Sequence, residues 1–123
     1  MANVAKEIIG NRAIVEELDY SDLPLLNQDI EQPEPASVAR VRKAVTEADA
    51  LWIFTPEYNF SYPGHLKNLL DWLSRPVKPM DYATPTCING KRVTIPGEAW
   101  GTDVLVLTEE QKAQLKVQAD KLV

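Results

Sequence analysis

The sequence predicts an α/β fold: a doubly wound parallel sheet that is incomplete. Three observations carry this. The run "ADALWIF" is apolar without alternation, as in a strand covered on both faces by helices. Stretches with helical spacing stand before and after it. The order of elements, helix, strand, helix, strand, helix, strand, strand, helix, is that of an α/β chain. The sheet is incomplete because five βα units of about 30 residues need about 150 residues. This chain has 123 and opens on a helix.

Each element has a local reason. "ANVAKEIIG" forms a short helix with Val4, Ala5, Ile8 and Ile9 inward, and Gly10 supplies a left-handed cap. "RAIVEEL" reads as a strand, with β-branched Ile14 and Val15 between Asn11 and "DYSD". From Tyr20 to Pro35 the chain is loop, punctuated by Pro24, Asn27, Asp29 and "QPEP". Pro35 opens the next helix as a first-turn residue, and Val38, Val41, Val45 and Ala48 follow at helical spacing. After "ADALWIF", Leu66, Leu69, Leu70 and Leu73 define a buried helical stripe. Lys67 and Asp71 pair on its outer face, and Arg75 and Pro76 end it.

A second proline-punctuated loop, "VKPMDYATPTCING", leads to the strand "KRVTI", stopped by Pro96 and Gly97. "DVLVL" is a further short strand. "TEEQKAQLKVQADKLV" is a terminal helix with a Thr108–Gln111 capping box and an apolar side of Leu115, Ala119 and Leu122.

Composition bounds the function. Residues 1–123 make one small domain of ordinary globular composition. A formal net charge of -5, with no run of Lys and Arg, argues against nucleic acid as a partner. Arg40, Arg42, Lys43 and Lys67 do not form a stripe. Cys87 and His65 are each single, so neither a disulfide within the chain nor a metal cluster is expected; Cys87 reads as a small buried apolar residue. No apolar stretch reaches the roughly 20 residues of a membrane span. The opening "MANVAKEIIGNRA" lacks the apolar core of a signal peptide, so a cytoplasmic location is expected.

The densest segment is "FTPEYNFSYPGHLKNLLDW". Residues 55–64 leave the carboxyl end of the most apolar strand, where open parallel sheets bind ligands. Pro56 and Pro63 stiffen the loop, Asn59 offers donors and an acceptor, and Tyr58, Phe60 and Tyr62 offer flat apolar surface. The same composition also fits a well-capped turn entering a helix, its aromatics packed on neighbours.

"TPEYNFSYPGHLKNLLDWLSRP" closely resembles the signature of the NADPH-dependent FMN reductase family, which includes chromate, quinone and azo-dye reductases of flavodoxin-like fold. The match runs through Pro56, Glu57, Tyr58, Asn59, Ser61, Pro63, Gly64, Leu66, Lys67, Asn68, Asp71, Trp72, Ser74 and Arg75. Weaker resemblance extends from "DLPLLNQD" to "GKRVTI". The resemblance implies that Thr55, Pro56, Glu57, Tyr58 and Asn59 border the isoalloxazine ring of FMN, largely through backbone groups, with Ser61 supporting them. It implies no acid or base side chain and no metal. NADPH or NADH would supply hydride to the flavin, and a quinone, azo dye, free flavin or metal oxyanion would accept the electrons. A homo-oligomer is expected.

The same resemblance marks two gaps. Family members begin with an apolar strand and a Gly/Ser-rich loop around the FMN phosphate; here "ANVAKEIIG" resembles the helix that follows that loop. A strand order of 2-1-3-4-5 puts the absent strand between "RAIVEEL" and "ALWIF". After "KRVTI" relatives continue into a Gly-rich loop, a helix and a strand, where this chain has "PGEAWGTDVLVL". Residues 1–123 are therefore expected to form a flavodoxin-like domain lacking the first strand and phosphate loop. Two functions compete: an FMN-dependent NAD(P)H oxidoreductase transferring hydride through bound flavin, and an inactive truncated remnant that serves as an association module.

Overall fold

Amphipathic periodicity puts four helices where the sequence expects them. The computed structural model describes residues 2–78, 81, 83–94 and 109–123. Helix α1 spans Ala2–Ile9, α2 Ala36–Glu47, α3 Gly64–Ser74 and α4 Glu109–Leu122. Strands β1 (Ala50–Trp52) and β2 (Arg92–Thr94) pair in a parallel two-stranded sheet. The expected strand at 103–107, the Thr108 cap and the stop at Pro96 and Gly97 lie outside the described residues.

The chain divides into two units. The first comprises Met1–Glu16, Trp52–Phe54 and Arg92–Val123. Its helices α1 and α4 pack together, burying Ala5 and Ile9 of one and Leu115, Ala119 and Leu122 of the other. Gly10 leaves α1 at φ +56, the left-handed exit expected of it. Arg12 then folds back: its Nε donates to the Ile9 carbonyl at 3.3 Å and an Nη to the Ile8 carbonyl at 3.1 Å. The guanidinium also pairs with Asp120 of α4. Two of the carbonyls that α1 leaves open at its end are thereby satisfied. Trp52 Nε1 donates to Gln118 at 3.3 Å, and its ring lies 5.1 Å from that of Phe54.

The strand expected over 12–18 does not form. Gly10–Arg12 is a 3-10 turn instead, and Ile14 is 93% exposed. Propensity favours a strand there, but a strand needs a partner. Among the described residues none pairs with it. All three residues of β1 are half-buried, where the apolar run predicts cover on both faces; β2 is their one neighbour among the described strands.

The second unit comprises Glu17–Leu51 and Thr55–Lys91. Its core is Leu23, the α2 residues Val38, Val41 and Val45, and the α3 residues Leu66, Leu69, Trp72 and Leu73. Leu70, expected in the same stripe, is half-buried. Pro35 is the N-cap of α2, one position before the first turn. The loop over 20–35 contains a 3-10 turn, Gln28–Ile30, capped by the Asn27 side chain accepting from Asp29 N at 3.0 Å.

Side chains far away in sequence pin that loop. Buried Asn68 accepts from Leu26 N at 2.8 Å and donates to the Pro24 carbonyl at 2.9 Å. Trp72 Nε1 donates to the same carbonyl at 2.8 Å. Arg75 holds Glu31 with two hydrogen bonds of 2.7 and 3.1 Å. Buried Arg42 joins α2 to the end of α3, donating to the carbonyls of Trp72 at 2.9 Å and Arg75 at 3.3 Å while pairing with Glu34. At the end of α2, Lys91 donates to the Thr46 and Ala48 carbonyls.

Candidate functional site: the loop before helix α3

Residues 55–63 follow β1 and enter α3, whose N-cap is Pro63 in extended conformation. The middle of the loop is a miniature hairpin. Tyr58 N donates to the Ser61 carbonyl at 2.8 Å, and Ser61 N donates to the Tyr58 carbonyl at 3.0 Å. Between them Asn59 and Phe60 have φ of 50° and 60°. Two successive positive φ values define the primed two-residue turn that matches strand twist. Asn tolerates this region through its short polar side chain, whereas for Phe it costs about 1–2 kcal/mol. An Asn-Gly pair would announce such a turn; Asn-Phe does not, so the sequence hides it.

All six sequence-designated residues lie on this one loop. Thr55 and Glu57 are half-buried; Pro56, Tyr58, Asn59 and Ser61 are exposed. Thr55 Oγ1 donates to the Pro56 carbonyl at 3.1 Å. The backbone N–H groups of Glu57 and Asn59, and the Asn59 amide, have no hydrogen-bond partner among the described residues. Of the three aromatics, Phe60 packs on nothing, and Tyr58 and Tyr62 are partly covered. Tyr58 is 62% exposed, Tyr62 46% and Phe60 99%.

Around the loop, the other signature residues are structural. Asn68, Trp72 and Arg75 tie α3 to the 20–35 loop, as described above. Lys67 and Asp71 form the expected ion pair, and the hydrogen bond to Asp71 holds the Lys67 ammonium above its ordinary pKa. His65 lies with its ring 4.9 Å from that of Tyr20. Among the described residues no group of His, Cys, Asp and Glu could hold a metal ion, and no helix is long and apolar enough to cross a membrane.

The fit to a flavin rests on donor chemistry. One edge of an isoalloxazine ring carries carbonyl oxygens and ring nitrogens that accept hydrogen bonds, and the loop offers unpaired N–H donors beside flat aromatic surface. The unpaired N–H donors of Glu57 and Asn59 suit that accepting edge. Among the described residues no Gly-rich turn leads into a helix.

The α/β order with this loop between strand and helix is that of a flavodoxin-like fold. More particularly, the chain belongs to the NADPH-dependent FMN reductase family, whose model matches residues 1–115. The cofactors of that family are FMN and NAD(P)H. A quinone reductase of Escherichia coli strain K12 is 49% identical over 57 residues, 45% of this chain and 30% of that protein. An NAD(P)H-dependent FMN reductase of Pseudomonas aeruginosa is 43% identical over 77 residues, 62% of this chain and 42% of that protein. Among solved structures, FerB of Paracoccus denitrificans, a flavoenzyme NAD(P)H:(acceptor) oxidoreductase, superposes with a TM-score of 0.71 at 31% identity. That likeness covers 98% of this chain and 62% of FerB. The chain thus spans less than half the length of the two curated relatives it matches.

Proposed function

We propose that this chain is an NAD(P)H-dependent reductase that uses the loop at residues 55–61 as one wall of its flavin-ring site and reduces a quinone. The observation that carries this reading is the set of unpaired backbone donors at Glu57 and Asn59 on a stiff, solvent-facing turn. Bound FMN would accept hydride from a nicotinamide and pass electrons to the acceptor. The chain's own part is binding and orientation. The N–H groups of Glu57 and Asn59 would donate to the accepting edge of the ring, and Thr55, Pro56 and Tyr58 would hold it. Ser61 holds Tyr58 in place through the two backbone bonds of the bridge. No side chain of the loop is assigned an acid or base role. The quinone reductase relative supports a quinone acceptor; a cytoplasmic homo-oligomer belongs to the same proposal.

Titration of the full chain with FMN, followed by flavin fluorescence, tests this directly. Saturable binding is expected, with NADPH oxidation that depends on added benzoquinone. Asn59→Pro, which removes one donor and cannot adopt positive φ, should weaken FMN binding about tenfold or more. Flavin that stays unbound at high concentration would overturn the proposal.

A second reading, a catalytically inactive association module, is favoured by one observation. Ile14 is almost fully exposed on a segment where Ala13, Ile14, Val15 and Glu16 make no hydrogen bond among the described residues. Unpaired edges of this kind invite pairing with other chains. Light scattering separates the two readings: concentration-dependent association without FMN uptake supports the module.

A further inference from the structure

One stretch of the first unit is an unfinished strand. Ala13 leaves the 3-10 turn in extended conformation, with φ -150 and ψ 156. Residues 13–16 make no hydrogen bond among the described residues. Ile14 is 93% exposed and Val15 39%. Soluble proteins guard such edges with proline, lysine, a bulge or a covering element. The sequence "RAIVEELDY" over 12–20 contains neither proline nor lysine.

What the stretch does contain is a self-complementary pattern. Laid antiparallel on a second copy with Ile14 at the centre, "RAIVE" sets Arg12 opposite Glu16 and Ala13 opposite Val15. Ile14 then faces its own symmetry mate. Arg12, Ile14 and Glu16 share one face, so an apolar contact is flanked on both sides by an ion pair. The parallel arrangement in the same register would oppose Arg12 to Arg12 and Glu16 to Glu16, which is destabilising. An antiparallel register shifted by one residue would set a charge on an apolar residue, Glu16 on Ala13 or Arg12 on Val15. Arg12 has the capacity for this pairing. Three of its five N–H groups serve Ile8, Ile9 and Asp120, and its side chain is 42% exposed, so two remain for a carboxylate.

We propose that residues 12–16 are a homodimer interface, in which the stretch pairs antiparallel with that of a second copy about a two-fold axis through Ile14. The inference rests on the homo-oligomer reading above and gives that oligomer its surface. A two-fold pair is isologous, so it closes at two copies. Five residues a side bury far less than the roughly 1,200–2,000 Å² of a stable complex, so the dimer is weak, with a Kd on the order of 10–100 µM.

Sedimentation velocity of the full chain, over about 1 µM to 1 mM, should show a monomer passing to a dimer. Ile14→Glu, which sets two carboxylates face to face on the axis, should abolish the dimer in that range. Glu16→Arg, which turns both ion pairs into repulsions, should raise Kd about tenfold or more. Both positions are exposed, so thermal midpoints at the dilute end should match that of the parent chain. The register is read by Ile14→Cys in a Cys87→Ser background. Mild oxidation should link two copies at position 14, whereas Asn3→Cys, at an exposed position on α1, should give no link. A monomer throughout the range, a dimer untouched by Ile14→Glu, or a species larger than two copies would each overturn the proposal. FMN titration of the same samples keeps the readings apart. A dimer that takes up no flavin sinks the reductase and leaves the interface standing; flavin uptake by a parent chain that stays monomeric sinks only the interface.

Discussion

Replacing Asn68 tests what holds the 20–35 loop onto α3. Asn68 is buried, 6% exposed, and its amide spends both ends on the loop backbone, accepting from Leu26 N and donating to the Pro24 carbonyl. In Asn68→Ala the Pro24 carbonyl keeps Trp72 Nε1, so its loss is small. Leu26 N loses its partner in a half-buried position, which costs about 1–3 kcal/mol. The void left by the amide adds about another 1 kcal/mol. A total of about 2–4 kcal/mol is a large part of the roughly 5–15 kcal/mol that stabilises a typical domain. Asn68→Asp sharpens the test, because a carboxylate still accepts from Leu26 N but cannot donate to Pro24. At neutral pH it should also destabilise, and acidification that protonates it should recover part of the loss. The assay is urea unfolding followed by tryptophan fluorescence, with Trp72 reporting on the junction itself. An Asn68→Ala midpoint equal to that of the parent chain would refute the reasoning, since the loop would then be held by something other than this amide.

Two further outcomes follow from the same unit. Arg42→Ala removes the partner of Glu34 and the donors to the Trp72 and Arg75 carbonyls, and should cost about 3–5 kcal/mol. The double substitution Arg42→Met with Glu34→Leu should cost clearly less in the same urea assay, because no charge is left unpaired. Burial pushes the Cys87 thiol above its ordinary pKa, against the nearby Arg42 charge, which lowers it. The folded chain therefore holds this proton to higher pH than the unfolded chain does. The stabilisation is fully present below the ordinary thiol range and is lost as pH rises through the folded value. Alkylation of Cys87 by iodoacetamide should accordingly be slower than that of an unfolded control at mildly alkaline pH, and equal rates would count against the burial.

Much of the fold is legible in the sequence because it is encoded locally. Leu66, Leu69 and Leu73 recur at helical spacing, and they are buried as the period requires. Gly10 caps α1 because glycine suits the left-handed exit, whatever surrounds it. The candidate loop is legible for a different reason: its residues are consecutive, so the chain brings Thr55 to Ser61 together without help from the fold.

What the sequence determined by itself, then, is the family, the helices and the place of the loop, all of which depend on spacing and order along the chain. Tertiary structure decided the rest. The segment over 12–18 has every local sign of a strand, but strand formation depends on a neighbour, and Arg12 is drawn instead to the carbonyls ending α1 and to Asp120. Asn68 and Arg42 look like ordinary polar positions on amphipathic helices until their partners, 42 and 30 residues away, are brought to them. In the sequence Phe60 reads either as surface for a ligand or as an aromatic packed on neighbours, and the turn closed by the two bonds between Tyr58 and Ser61 leaves it exposed. Periodicity records which face of an element is apolar; which groups meet that face is settled only when distant parts of the chain are packed together.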